Sequence, residues 1–163
     1  MMTQNGLLLA CVFAVMGTGL VAGVFLTFSD FVMKALASAS PVCGIEAMQE
    51  INRKVYGSVF LVLFMGMAAY FIMLSGYAYF YLFGPVAIWI ISGGSIYLVG
   101  VFLVTIVFNV PMNKRLDVLD TSSTDTIIYW EKYQHTWTIW NHVRTVASTL
   151  TMLCMLVACV LFG

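Results

Sequence analysis

The sequence predicts an all-α fold: an integral membrane four-helix bundle with helical lead-ins to its second and fourth spans. Three observations carry this. Hydrophobic residues make up 62% of the 163 and charged residues 9%, against roughly 45–50% and about 25% in soluble domains. Four stretches with little or no charge reach the roughly 20 residues a helix needs to cross ~30 Å of hydrocarbon. Every Lys, Arg, Asp and Glu falls in, or at the edge of, the connections between the first and second and between the third and fourth stretches. A water-soluble monomer could not hide this much apolar surface. Seven basic residues balance seven acidic ones, leaving no excess charge for nucleic acid or anionic lipid. A soluble enzyme, a nucleic-acid binder, a disordered chain and a secreted disulfide scaffold are thereby excluded. A single membrane domain over residues 1–163 is expected, with the lipid bilayer as its surroundings.

The first span covers about residues 6–29. Residues 1–5 lack Lys and Arg, and the apolar run outlasts that of a signal sequence, so it reads as a retained helix. On it, Gly19-Leu20-Val21-Ala22-Gly23 is a small-xxx-small motif. Such motifs let backbones approach closely, here inside the bundle or between copies in a homo-oligomer. Residues 44–54, with Glu46, Gln49, Glu50 and Arg53 at spacings of three and four, form a helical lead-in to the second span, about residues 55–75. The uncharged connection that follows carries Tyr77, Tyr79, Phe80, Tyr81 and Phe83 and reads as an aromatic belt at a turn. Gly84-Pro85 opens the third span, about residues 85–108, which closes near Asn109-Val110-Pro111. Gly93, Gly94 and Gly100 soften it or admit a close neighbour. Residues 124–140 form the lead-in to the fourth span, about residues 143–162, with Ser122 or Ser123 as N-cap and Asp125 in the first turn. All Lys and Arg lie at one end, so that end is expected to face the cytoplasm and both termini to face away.

Chemistry concentrates at the charged end. Trp130, Gln134, Trp137, Asn141, Arg144, Ser148 and Thr151 follow one another at spacings of three and four, along one helix face. A charge in a membrane helix is costly and faces the protein interior or a wet cavity. Arg144 should therefore point into the bundle. The same end receives Thr27, Ser29 and Asp30 from the first span, Glu46, Gln49, Glu50, Asn52 and Arg53 from the lead-in, and Asn109 and Asn113 around Pro111. Proline has no amide hydrogen, so Pro111 frees the Val107 carbonyl. Carboxamides, a carboxylate and Arg144 could line a cavity there, or could simply hold helices together. His135 and His142 are seven residues apart, about 10 Å along one face, too far to share a metal from an unbroken helix. The sequence has no HExxH or Glu-x-x-His pair. Cys11, Cys43, Cys154 and Cys159 form no C-x-x-C pair, so neither zinc nor a disulfide framework is indicated.

Four stretches together resemble a known family: Gly19-x-x-x-Gly23-x-Phe25-x-x-Phe28-Ser29-Asp30-Phe31-Val32-Met33, then Ala47-Met48-Gln49-x-Ile51-Asn52, then Asn109-Val110-Pro111-Met112-Asn113-x-x-Leu116, then Trp137-x-x-Trp140-Asn141-x-x-Arg144. They are similar to the anthrone oxygenases, small four-helix membrane proteins much of whose family is known only as a domain of unknown function. The resemblance implies oxidation of a flat, acidic, electron-rich aromatic, with molecular oxygen as co-substrate. No cofactor is expected, because the carbanion of such a substrate can reduce oxygen directly; a metal or haem on other ligands is left open. The protein would then supply a base, an oxyanion stabiliser and a dry pocket. Arg144, Asn109, Asn113 and Asn141 are the candidate stabilisers. His135, His142, Glu50 and Asp30 are the candidate bases. Trp137 and Trp140 offer flat walls, with Gln49 and Asn52 alongside. A competing reading is a non-catalytic accessory or ligand-binding subunit of a membrane complex. A carrier or channel is disfavoured, since the second and third spans carry no charge to line a pathway.

Overall fold

The computed structural model describes residues 3–162, and these are helical apart from short connections. Met1, Met2 and Gly163 lie outside the described residues. The helices are α1 (Gln4–Ser38), α2 (Pro41–Val55), α3 (Val59–Tyr81), α4 (Pro85–Asp117) and α5 (Thr124–Val160). All but α2 are long and apolar enough to cross a membrane. The chain is thus a multi-pass integral membrane protein, and α2 is the lead-in expected before the second span.

Local chemistry sets each boundary. The side chains of Thr3, Ser40, Ser58 and Ser123 each accept a hydrogen bond from an amide of the following first turn. Such caps satisfy amides that have no partner within the helix. Pro41 and Pro85 take the first turn, where a missing amide hydrogen costs nothing. Gly84 precedes Pro85 with φ of 81°, a left-handed conformation that favours glycine. Between α4 and α5, the Ser122 amide and hydroxyl donate to Asp120 and hold its carboxyl below the usual range.

Three elements run longer than the sequence suggested. α1 continues past Ser29 to Ser38 through a π-helical segment, Phe28–Val32. Tyr77, Tyr79, Phe80 and Tyr81 lie in the last turns of α3 and not at a turn, leaving 82–84 as the connection. Pro111 does not close the third span. Upstream of it the helix widens over Tyr97–Leu103 and Thr105–Asn109, where the Val110 amide reaches back to the Thr105 carbonyl. This wider winding lets α4 carry a proline and continue to Asp117. α5 is one unbroken helix that includes the expected lead-in.

α1 packs along α5, α5 along α4, and α4 along α3, with α3 closing lightly on α1. Gly93 and Gly100 are what allow α4 to approach α5. A Cβ on Gly93 would sit 2.5 Å from the Met155 methyl, and one on Gly100 would sit 2.6 Å from Ala147 Cβ. In α1 the tight position is Gly17, against Met67; Gly19 touches only Met152, and Gly23 meets nothing within 4 Å. The Gln4 side chain donates to the Phe162 carbonyl at 2.9 Å, so the start of α1 meets the end of α5 at the uncharged end of the bundle. One apolar core fills the bundle around Phe64, Phe71, Tyr97 and Met155. A second, around Met48, Leu116, Trp130, Tyr133 and Trp137, lies at the charged end beneath α2.

Candidate functional site

The polar stripe on α5 faces inward as its spacing predicts. Trp130, Trp137, Asn141, Arg144, Ser148 and Thr151 are all buried. Arg144 is 5% exposed, and among the described residues its guanidinium forms no ion pair with a carboxylate. Its Nη2 donates to Asn141 Oδ1 at 2.7 Å and its Nη1 to Thr105 Oγ1 at 3.4 Å, while Nε has no partner. The cation lies 4.4 Å from the centre of the Phe25 ring and 5.1 Å from that of Trp137. Ring faces attract a desolvated cation, but they replace only part of the hydration that a buried charge loses.

The neighbours of Arg144 are fixed in turn. Asn141 Nδ2 donates to the Phe25 carbonyl and to Ser29 Oγ, each at 2.7 Å. Asn113 Oδ1 accepts from Tyr133 Oη and Trp137 Nε1, each at 2.8 Å. That leaves Asn113 its NH2 group to offer elsewhere. Asn109 donates to the Trp137 carbonyl, and its oxygen is unpartnered. The Asn52 carboxamide lies against the Tyr133 hydroxyl, and no well-placed acceptor takes its amide hydrogens.

Between the two apolar cores these side chains face a cavity of about 160 Å³. A single water needs only ~10–15 Å³, so the space is sized for a larger molecule. Phe25, Phe28, Met48, Ile51, Phe60, Phe64 and Trp137 make the walls mainly apolar; Asn52, Thr105, Asn113, Asn141 and Arg144 supply its polar side. Two of the three π-helical segments reach the cavity lining, through Phe28 and Thr105. Wider turns of this kind often occur at functional sites. The partly exposed elbow between α2 and α3, with Tyr56 60% exposed, forms the rim.

Five of the residues singled out from sequence thus line one cavity: Arg144, Asn141, Asn113, Asn52 and Trp137. The others lie elsewhere. Asn109 packs behind Trp137. Trp140 stacks on Phe108 at 3.6 Å, outside the cavity. Gln49 is buried but donates to the Leu116 and Leu119 carbonyls, docking α2 on the end of α4. Asp30 is exposed and 3.9 Å from Lys34. Glu50 is exposed and pairs with Arg53, whose guanidinium is held more firmly protonated first by Asp117 and then by Glu50. His135 is exposed. His142 lies on the outer surface of α5, in a shallow apolar groove with Ile96, Ile139 and Val146. None of the four candidate bases reaches the cavity wall. Phe25, Phe28, Thr105 and Phe64 were not singled out as site residues. Phe25 and Phe28 fall within the first resembling stretch, but an apolar residue in an apolar span carries no mark of facing a cavity.

The family comparison bears directly on this site. Residues 53–154 match the model of the anthrone oxygenase family. They cover the second and third spans and the fourth as far as Cys154, and include Thr105, Asn113, Trp137, Asn141 and Arg144. The chain belongs to the anthrone oxygenase family. No curated protein matched the chain, and no solved structure matched it either.

Proposed function

We propose that the protein is a membrane-bound oxygenase that converts the activated methylene of a planar, anthrone-like aromatic to a carbonyl with molecular oxygen. The observation that carries this reading is the buried Arg144 cation, unpaired with any carboxylate, on the wall of a mainly apolar, aromatic-lined cavity. Family membership supports the same class of chemistry. In this reaction the carbon acid loses a proton and becomes an enolate. The enolate gives one electron to oxygen, and the resulting radical pair combines to form a peroxide at that carbon. The second hydrogen leaves as a proton, the O–O bond breaks, and the departing oxygen becomes water. One CH2 and one O2 yield one C=O and one H2O.

In this reading Arg144 sits against the enolate oxygen and then the peroxide, where negative charge develops. Asn52 and Asn113 add amide donors. Phe25, Phe28 and Trp137 hold the flat ring and keep water away. The charged end, which carries every Lys and Arg, faces the cytoplasm in this proposal.

The test is oxygen uptake by detergent-purified protein given anthrone, beside an Arg144→Gln variant and a no-protein blank that corrects for autoxidation. Uptake well above both, with anthraquinone formed, is expected. Uptake no faster than the blank from folded protein would overturn the reading for this substrate and favour an accessory, ligand-binding role.

A further inference from the structure

The groups around Arg144 raise the question of where the substrate's proton goes. α1 offers Phe25 and Phe28 to the cavity, α2 offers Asn52, α3 Phe64, and α4 Thr105 and Asn113. None of these is a base. The titratable groups nearest the space are Tyr56 at the rim and Tyr133 behind Asn113. A phenol hydroxyl is an acid and not a base, and that of Tyr133 already donates its hydrogen to Asn113. The unmet hydrogen-bonding capacity is, by contrast, mostly on donors: Arg144 Nε and Asn52 Nδ2 are buried without partners, and Asn113 has its NH2 group to give. Donors beside an unpaired cation favour an oxygen anion over a neutral hydroxyl or carbonyl.

We propose that the cavity takes its aromatic ligand as the oxyanion: Arg144 and the flanking amides ionise an enol or phenol by stabilising its anion, and the proton passes to water at the Tyr56 rim without a basic side chain. The ligand class is therefore a planar aromatic enol or phenol. This rests on the oxygenase reading for its identity as substrate, but not for its binding.

A dye that cannot turn over tests it. 2-Hydroxyanthraquinone has no methylene to oxidise, and its phenolate absorbs at longer wavelength than its phenol. Titrated on the purified protein in detergent, its midpoint is expected at least about one pH unit below that in empty micelles, a tenfold preference for the anion. Arg144→Lys should keep part of the shift and Arg144→Gln should abolish it. Asn52→Leu, which keeps the charge, should shrink it, and serves if Arg144→Gln does not fold. Saturable binding with an unshifted or raised midpoint, or no saturable binding, overturns the proposal. A shifted dye with no anthrone uptake would leave this proposal standing and overturn the oxygenase reading for anthrone. Uptake with an unshifted dye would do the reverse.

Discussion

Asn141 Oδ1 accepts a hydrogen from Arg144 Nη2 at 2.7 Å, one helical turn along α5, while the other end of the same carboxamide ties α5 to Phe25 and Ser29 of α1. The residue that orients the cation is therefore also a joint between two helices. Asn141→Asp keeps the acceptor but sets a carboxylate on Arg144, cancelling the charge a ligand would meet. We expect anthrone-dependent uptake to fall more than tenfold, with a stability cost of about 1–3 kcal/mol from the donor lost to Phe25. Asn141→Leu strips the acceptor from a buried cation and the donor from the Phe25 carbonyl, at about 1–3 kcal/mol for each group left unsatisfied. Oxygen uptake and thermal unfolding, measured together, separate the two variants; equal uptake by wild type and Asn141→Asp would sink the assignment.

How far the sequence reached depends on what kind of signal a residue leaves. Arg144 and Asn141 were legible because a polar group at helical spacing in an apolar span has to face inward. Pro111 misled because proline marks a helix end in most settings, yet the π-helical winding upstream absorbs it within α4. The acids and histidines were legible as chemistry but not as positions. Near the membrane edge a helix turns some faces to the cavity and others outward, and their spacing alone did not place Glu50 or His142. Phe25 and Thr105 left no signal, since an apolar residue or a threonine in a span is ordinary wherever it points.

Two neighbours on α2 should behave differently. Gln49 gives its buried amide to two carbonyls at the end of α4, and Gln49→Leu strands them at about 1–3 kcal/mol. Arg53 bridges Glu50 and Asp117 in the open, where solvent and salt screen the pair. Arg53→Ala should move the thermal midpoint much less than Gln49→Leu, and less again at high salt. A larger loss for Arg53→Ala would show that α2 is held by charge and not by its buried amide.

Glycines give a similar contrast. A Cβ on Gly44 would lie 2.6 Å from the Leu36 carbonyl oxygen and 3.2 Å from the Trp130 ring. Neither backbone nor indole yields easily, so Gly44→Ala should cost about 1–3 kcal/mol. Gly23 is open within the protomer, and Gly23→Ala should be neutral or gain up to about 1 kcal/mol from helix propensity. Thermal unfolding of the two variants checks this, and a marked loss at Gly23 would point to a copy packed against it.

Orientation is testable with a native cysteine. Cys43 is exposed at the charged end. With Cys11, Cys154 and Cys159 changed to Ser, an impermeant maleimide should label Cys43 only after cells are lysed. Labelling of intact cells would place the charged end outside and reverse the proposed topology.

The last prediction concerns the four candidate bases. Asp30 and Glu50 sit beside exposed cations, His135 is exposed, and His142 faces the outer groove of α5. If the substrate ionises against Arg144, no one of them is needed. Asp30→Asn, Glu50→Gln, His135→Ala and His142→Ala should each keep at least about half of the wild-type uptake. Arg144→Gln should lose about 10- to 100-fold, the range for one charge-assisted hydrogen bond worth about 1.5–3 kcal/mol. The pH profile sharpens the comparison. Removing an essential base would erase the limb of the profile that it sets, whereas ionisation of the ligand leaves the profile unchanged in every one of the four variants and moves it only where Arg144 or Asn52 is replaced. A His142→Ala protein that folds, binds dye with the full shift and consumes no oxygen would relocate the chemistry to the outer groove. The same result for His135→Ala would require α5 to present a different face to its substrate.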